Sequence, residues 1–230
     1  MIIAIDGPAG AGKGTLAQNL VAKYGFRYLD TGALFRAVGL CLLQDETLTD
    51  ENLEIKAIFN SKNLDFDFTR EFNIILNGKD VTSEIRNPET GAMASKIATI
   101  PEVRINLDEF QKHFAKKYRS KGVILDGRDI GTFIAPDAPV KIFLDCAPEV
   151  RAKRRVEQLK EIGKEKSYDE MLENIITRDH TDRNRAIRPL KPAVDSISIN
   201  TCENEIDDVL TIVSSRIEEV AEQLNIKLNK

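Results

Sequence analysis

Met1-Ile-Ile-Ala-Ile-Asp6-Gly7-Pro-Ala-Gly10-Ala-Gly12-Lys13-Gly14-Thr15 begins the chain, and it changes character twice. Residues 2 to 5 are apolar and mostly β-branched, as in a strand buried on both faces of a parallel sheet. Gly7, Gly10, Gly12 and Gly14 then crowd around Lys13. Beyond Thr15, the apolar residues Leu16, Leu20 and Val21 lie among polar ones in a helical pattern. Strand, glycine-rich loop and helix in that order are the setting of a phosphate-binding P-loop.

A phosphate chain needs several N–H donors aimed at one point, and only backbone without Cβ atoms wraps closely enough to supply them. The helix that follows adds its N-terminal amides and dipole, and Lys13 adds a mobile positive charge. The spacing Gly7-x4-Gly12-Lys13 fits the pattern, with one departure: Gly14 follows the lysine and the hydroxyl comes one residue later, at Thr15. The plainer alternative is a glycine-rich turn with a surface lysine. Strand, spacing, lysine and helix agree against it. Gly7, Pro8, Ala9, Gly10, Ala11, Gly12, Lys13, Gly14 and Thr15 are therefore the candidate triphosphate-binding segment.

The whole chain sets limits. Its 230 residues suit one domain, or one domain with insertions. A hydrophobic content of 42% is ample for a core, and a net charge of −4 gives no electrostatic mark of nucleic-acid binding. No apolar run approaches the roughly 18 residues of a membrane span, and the N-terminus lacks a signal-peptide layout. Cys41, Cys146 and Cys202 form no CxxC pair, and with only His113 and His180 beside them no zinc set; no metal site is expected. They are expected as reduced side chains in or near the core, in a cytoplasmic setting.

Further along, Tyr28 and Leu29 suggest a second strand, ended by Asp30-Thr31-Gly32, and Asp30 can cap a helix carrying Leu34, Phe35, Val38, Leu42 and Leu43. A shorter helix is expected over residues 51–60. Leu64-Asp-Phe-Asp-Phe68 alternates, and Phe72–Leu76, the turn Asn77-Gly78 and Asp80-Val81 follow, reading as a small antiparallel hairpin or meander. Residues 90–100 are expected to be helical, and Pro101 to start a second helix continuing to Tyr118. Gly122–Asp126 reads as a buried strand ending at a Walker-B position, followed by the tight turn Gly127–Thr132. Val140–Asp145 is another strand, residues 148–162 a basic helix, 163–167 a charged loop and 168–185 a helix. Ile197–Asn200 is the last strand, and residues 205–228 a closing helix. Five strands alternating with helices predict an α/β, three-layer P-loop fold with a five-stranded parallel sheet. Ligands then sit at the carboxyl ends of the strands, where Asp6-Gly7, Asp30-Thr31 and Asp126 to Asp129 would meet.

A P-loop alone says nucleoside triphosphate. The Asn-Lys-x-Asp motif of guanine readers is absent. Arginines stand instead beside strand ends and helix starts: Arg36, Arg104, Arg128, Arg178, Arg183, Arg185 and Arg188. Arginine clamps phosphates bidentately, so an acceptor that is itself a phosphate is indicated. Arg178, Asp182 and Arg185 fall four and three residues apart and could share a helix face; a surface salt-bridge ladder would have the same spacing.

The segment Gly7–Thr15 is similar to the P-loop of nucleoside monophosphate kinases, where Lys-Gly-Thr is usual. Asp30–Arg36, Asp126–Thr132, Pro136–Leu144 and Arg178–Arg185 resemble, in order, signature segments of bacterial cytidylate kinases. The similarity covers nearly the whole chain, including the extra strands at 64–81. Adenylate kinases share the P-loop but would read Asp-Gly-Phe-Pro-Arg where this chain has Asp126-Gly-Arg-Asp129. The resemblance implies reversible transfer of the ATP γ-phosphoryl group to CMP or dCMP, with Mg²⁺ carried as the ATP complex. It implies core segments 1–30, 101–150 and 168–230, a monophosphate-binding insertion at 31–100 and a short lid at 151–167. Thr31, Arg36, Arg128 and Arg185 would hold the CMP phosphate; Ser95, Arg104 and Asp129 would face cytosine; Arg178 and Asp182 would contact the sugar. The lid stretch Arg151 to Arg155 would close over ATP, with Arg154 and Arg155 as its ligands, although a solvated helix face would look alike. Lys13, Arg128 and Arg185 would be catalytic. His180 and Thr181 stand where some relatives carry more charge. ATP and CMP or dCMP are the expected partners, without nucleic acid or membrane, for a monomer.

Cytosine chemistry agrees with the base assignment. A carboxylate such as Asp129 accepts from N4, whereas the uracil carbonyl would oppose it, at a cost of about 1–3 kcal/mol. No general base is needed, because the acceptor phosphate is already a nucleophile. Two rivals remain: a P-loop kinase with another acceptor, and a regulatory module that binds ATP without transferring phosphate.

Overall fold

The apolar run after Met1 is the centre of the molecule because both of its faces are covered. All five residues of strand β1 (Ile2–Asp6) are buried. Ile2 and Ala4 pack into one apolar cluster, Ile3 and Ile5 into the other, as alternation along a strand requires. The computed structural model describes residues 1–67, 72–161, 163 and 165–228. In chain order the remaining strands are β2 (Arg27–Asp30), β3 (Phe66–Asp67), β4 (Ile75–Leu76), β5 (Lys79–Asp80), β6 (Val123–Gly127), β7 (Val140–Asp145) and β8 (Ile197–Asn200). The helices are α1 (Lys13–Tyr24), α2 (Thr31–Leu43), α3 (Leu53–Asn63), α4 (Pro88–Ile97), α5 (Pro101–Tyr118), α6 (Pro148–Glu161), α7 (Tyr168–Asn184) and α8 (Ile206–Gln223).

The five long strands form one parallel sheet in the order β2-β6-β1-β7-β8, and the three short ones a separate antiparallel sheet, β3-β4-β5. One layer, with α2 and α5, packs Leu29, Leu34, Val38, Leu107 and Leu125; the other, with α1 and α8, packs Leu20, Ile124, Ile142, Val213 and Ile217. The expected α/β three-layer architecture and the small antiparallel sheet are present. No described helix is long and apolar enough to cross a membrane. Phe68, Ile162 and Lys164, part of the expected hairpin, helix and lid loop, lie outside the described residues.

Several boundaries differ from expectation. The closing helix ends at Gln223, not near Leu228, because Asn225 turns left-handed (φ 53°) and the Ile226 N–H donates back to Ala221 O at 2.8 Å. Helix α3 starts at Leu53 and α4 at Pro88, whose missing N–H suits a first turn. The expected tight turn after β6 is a short π-helical segment, Ile130–Ile134.

The cysteine expectation is corrected. Cys146 and Cys202 are joined as a disulfide, with Cα atoms 5.2 Å apart. They lie 56 residues apart in sequence, which hid the pairing. Parallel registry of β7 on β8 sets Asp145 beside Asn200, so the residues just beyond both strand ends become neighbours. Cys41 keeps a free, half-buried thiol whose pKa burial pushes up.

Candidate active site

Parallel pairing aligns Asp6 with Gly127 and Asp30 with Asp126, so three strand ends converge on one edge of the sheet. The glycine loop leaves β1 there. A Cβ at Gly7 would fall 2.1 Å from the Leu144 carbonyl oxygen, so only glycine fits at that crossing. Gly12 caps α1 with a left-handed φ of 89°, turning the chain from loop into helix. Lys13 Nζ lies within the loop's curl, donating to Pro8 O at 3.0 Å and standing 3.7 Å from Asp126.

Burial sets the chemistry of this pair. It lowers Lys13 to about 8, helped by the positive Arg128, while Asp126 and Asp30 oppose the shift. It raises Asp126 to about 6 despite Lys13. Tyr28 Oη donates to Asp126 Oδ2 at 3.1 Å, and Thr31 Oγ1 donates to the Asp126 carbonyl at 2.8 Å. Such a buried, weakly neutralised lysine is ready for an incoming polyanion.

Facing the loop is a group of arginines. Arg128 Nε donates to Asp182 Oδ2 at 2.8 Å, and Arg36 Nη1 donates to Ile85 O at 3.0 Å. Arg178 is half-buried, its Nε is buried without a hydrogen-bond partner, and desolvation with the repulsion of Arg128 and Arg36 lowers it to about 9. Arg185 is lowered to about 10 by burial and by Arg104. Burial alone would raise Asp182; Arg128, Arg178 and Arg185 outweigh it and hold its carboxyl below the usual range. One carboxylate thus serves three guanidinium groups, and the excess positive charge is what an anionic substrate would neutralise.

The third cluster lies beside these. Arg104 donates through Nη2 to Asp129 and through Nη1 to Ala98 O at 3.2 Å. Its Nε and the Ser95 hydroxyl are buried without hydrogen-bond partners. The Arg104 Nε is thus an unsatisfied donor within a buried ion pair, which a hydrogen-bonding ligand would complete.

The sequence-predicted residues are thus gathered, with three corrections. Arg185 does not share a helix face with Arg178 and Asp182; α7 ends at Asn184, and Arg185 caps it in an extended conformation. Its guanidinium nonetheless returns to 4.0 Å from Asp182 and 3.9 Å from Asp129. Arg154 and Arg155 diverge: Arg154 donates to Thr201 O at 2.8 Å, beside the loop, while Arg155 donates to Arg86 O at 3.3 Å, just before α4. Arg151, at the start of the expected lid stretch, is buried in this structure. It is 1% exposed and donates to Cys146 O at 2.8 Å, to the loop carbonyl of Ala9 at 2.9 Å and to both carboxylate oxygens of Asp179.

Sequence reasoning placed Asp6 at this edge without a role and missed Thr201. Asp6 accepts from the amides of Ile130 and Gly131 at 2.8 and 2.7 Å, fixing the segment behind Asp129, and burial raises its carboxyl to about 6. Thr201 Oγ1 donates to Ala11 O at 3.2 Å, tying the end of β8 to the loop. The place of Asp6 directly before the first loop glycine set it at the edge, but its bonds to residues 130 and 131 depend on the fold; nothing in sequence singled out Thr201.

Together the fold and this edge define a P-loop phosphotransferase whose acceptor is itself anionic. The family model described as Cytidylate kinase matches residues 3–219. Curated cytidylate kinases of Clostridium tetani, Pasteurella multocida and Fervidobacterium nodosum are 43%, 40% and 44% identical to this chain. The alignments cover 95%, 95% and 94% of this chain and 94%, 96% and 96% of those proteins. A solved structure of an uncharacterized protein from Eubacterium ventriosum shares the fold, with a TM-score of 0.53 at 14% identity over 95% of this chain and 98% of that one. The chain belongs to the cytidylate kinase family, and its resemblance at the signature segments is thereby placed on full-length similarity.

Proposed function

We propose that the protein moves the γ-phosphoryl group of ATP reversibly to CMP or dCMP, giving ADP and CDP or dCDP, in pyrimidine nucleotide metabolism. The observation that carries this reading is the arginine group Arg36, Arg128, Arg178 and Arg185, under-neutralised and opposite Lys13. A protein that only sensed ATP would gain nothing from a second anion site.

In this reading Lys13 and the amides of the glycine loop bind the ATP phosphates. The Thr15 hydroxyl and the Asp126 carboxylate are hard oxygen donors that would hold Mg²⁺ bound with ATP, and the ion would supply charge neutralisation. Thr31, Arg36, Arg128 and Arg185 hold the acceptor phosphate. Arg128 and Arg185 also balance charge on the transferring group, and catalysis is positioning and electrostatics. Asp129 accepts from cytosine N4, while the free Arg104 Nε and Ser95 hydroxyl supply donors for the ring acceptors. Arg178 and Asp182 lie toward the sugar. Arg154 stands on the ATP side, and Arg155 reaches the nucleotide only if α6 moves toward the loop.

ADP production from MgATP with CMP, dCMP, UMP and AMP tests this directly. CMP and dCMP are expected to exceed UMP in kcat/KM by about 10–100-fold, one well-placed base contact. Asp129→Ala is expected to erase that preference, because the opposed acceptor is gone. Equal or better turnover with AMP or UMP would sink the cytidylate reading and leave a P-loop monophosphate kinase.

A further inference from the structure

The sequence singled out Arg188, and the proposed chemistry leaves it without a role. It lies in the turn after α7, where Leu190 N–H folds back to Asp182 O at 2.8 Å. Arg188 holds a left-handed backbone, φ 54°, which side chains other than glycine rarely adopt. Its carbonyl accepts from Arg185 Nε at 2.5 Å. That bond uses the one guanidinium nitrogen that faces away from the fork. Arg185 Nη1 and Nη2 then point toward Asp182 and Asp129, and Nη2 is buried with no hydrogen-bond partner.

The backbone at 188 is held by its own side chain. The Arg188 guanidinium pairs with Asp108 of α5 and lies over the Phe133 ring, 3.2 Å from its centroid. Asp108 is buried, its Oδ1 has no hydrogen-bond partner, and its Oδ2 accepts from the Arg188 guanidinium. Strained backbone persists where surrounding contacts over-determine it, and it gathers at functional sites.

We propose that Asp108 and Arg188 are positioning residues for Arg185: they fix the Arg188 carbonyl so that Arg185 presents Nη1 and Nη2, undistorted, to the acceptor phosphate. The proposal rests on the reading of Arg185 as a clamp on that phosphate. It extends the acceptor site to α5 and to the loop beyond α7. It also explains why a residue just past a helix end aims as reliably as one within the helix.

Steady-state kinetics with CMP and MgATP on Arg188→Ala, Asp108→Asn, Arg185→Lys and the double variant Arg185→Lys/Arg188→Ala test it. Arg188→Ala is expected to lower kcat/KM for CMP on the order of 10–100-fold through a misplaced clamp, with KM for ATP within about twofold. Asp108→Asn should move the same parameter in the same direction, and Arg188→Lys should recover part of it. The double variant should be no worse than Arg185→Lys alone, since Arg188 acts only through Arg185. Multiplying losses in the double variant, or an Arg188→Ala variant whose kcat/KM for CMP equals the parent's, would overturn the proposal while leaving the acceptor site standing. CMP turnover untouched by Arg185→Lys would overturn both the clamp reading and the proposal.

Discussion

Lys13→Met lowers kcat for ATP-dependent phosphorylation of CMP by about 100- to 1,000-fold, the scale of removing one preorganised donor from a charge-developing centre, and the protein stays folded. Folding survives for a specific reason. Lys13 is buried against Asp126, and removing one partner of a buried ion pair ordinarily strands a charge. Asp126, however, already sits at about 6, and Lys13 is the strongest influence holding it down. Without Lys13 it rises further and binds a proton at neutral pH, so no stranded anion remains. A thermal midpoint near that of the parent, together with lost turnover, is the expected result. Turnover near the parental rate would remove Lys13 from the chemistry.

The same lysine predicts a pH profile. Its value of about 8 in the free protein means that it is charged below that pH and neutral above. kcat/KM for ATP reports the free enzyme, so it should fall about tenfold per pH unit above about 8. Bound phosphates favour the charged form, so kcat should hold to higher pH than kcat/KM. A kcat/KM profile flat to pH 10 would contradict the assignment.

Much of this was legible in the chain because parallel sheets are built from recognisable pieces. A β-branched apolar run followed by glycines and a lysine fixes β1, the loop and α1 together. Once five such runs are counted, the carboxyl-end rule gathers Asp6, Asp30 and Asp126 without further information. What stayed hidden depends on pairing between distant segments. Arg151, Arg154 and Arg155 look equivalent along a basic helix, yet one is sealed in the core, one reaches the end of β8 and one reaches Arg86 before α4. Helical spacing allowed a shared face for Arg178, Asp182 and Arg185; the chain left the helix one residue early, and the Arg188 carbonyl in the turn beyond α7 accepts from Arg185 Nε. The disulfide was invisible for the same reason, since only strand order brings Cys146 to Cys202.

Arg151→Ala should cost about 3–5 kcal/mol of stability, the range for breaking a buried pair from one side. Its guanidinium satisfies the carbonyls of Cys146 and Ala9 and both oxygens of Asp179, and alanine leaves all of these groups without that donor. Removing the partner carboxylate as well should restore much of the loss: Arg151→Met with Asp179→Leu leaves no unpaired charge. It should not restore ATP binding. Of the three partner residues only Ala9 belongs to the glycine loop, and Gly10 packs its Cα against the Arg151 stem, where a Cβ would lie 3.5 Å from Arg151 Cβ. The double variant is therefore expected to melt near the parent yet show a raised KM for ATP, with KM for CMP much less affected. Chemical denaturation and two-substrate kinetics separate the two effects. Recovery of stability and of KM for ATP together would mean that Arg151 serves only the packing of α6 on α7, and that the loop holds its shape without it.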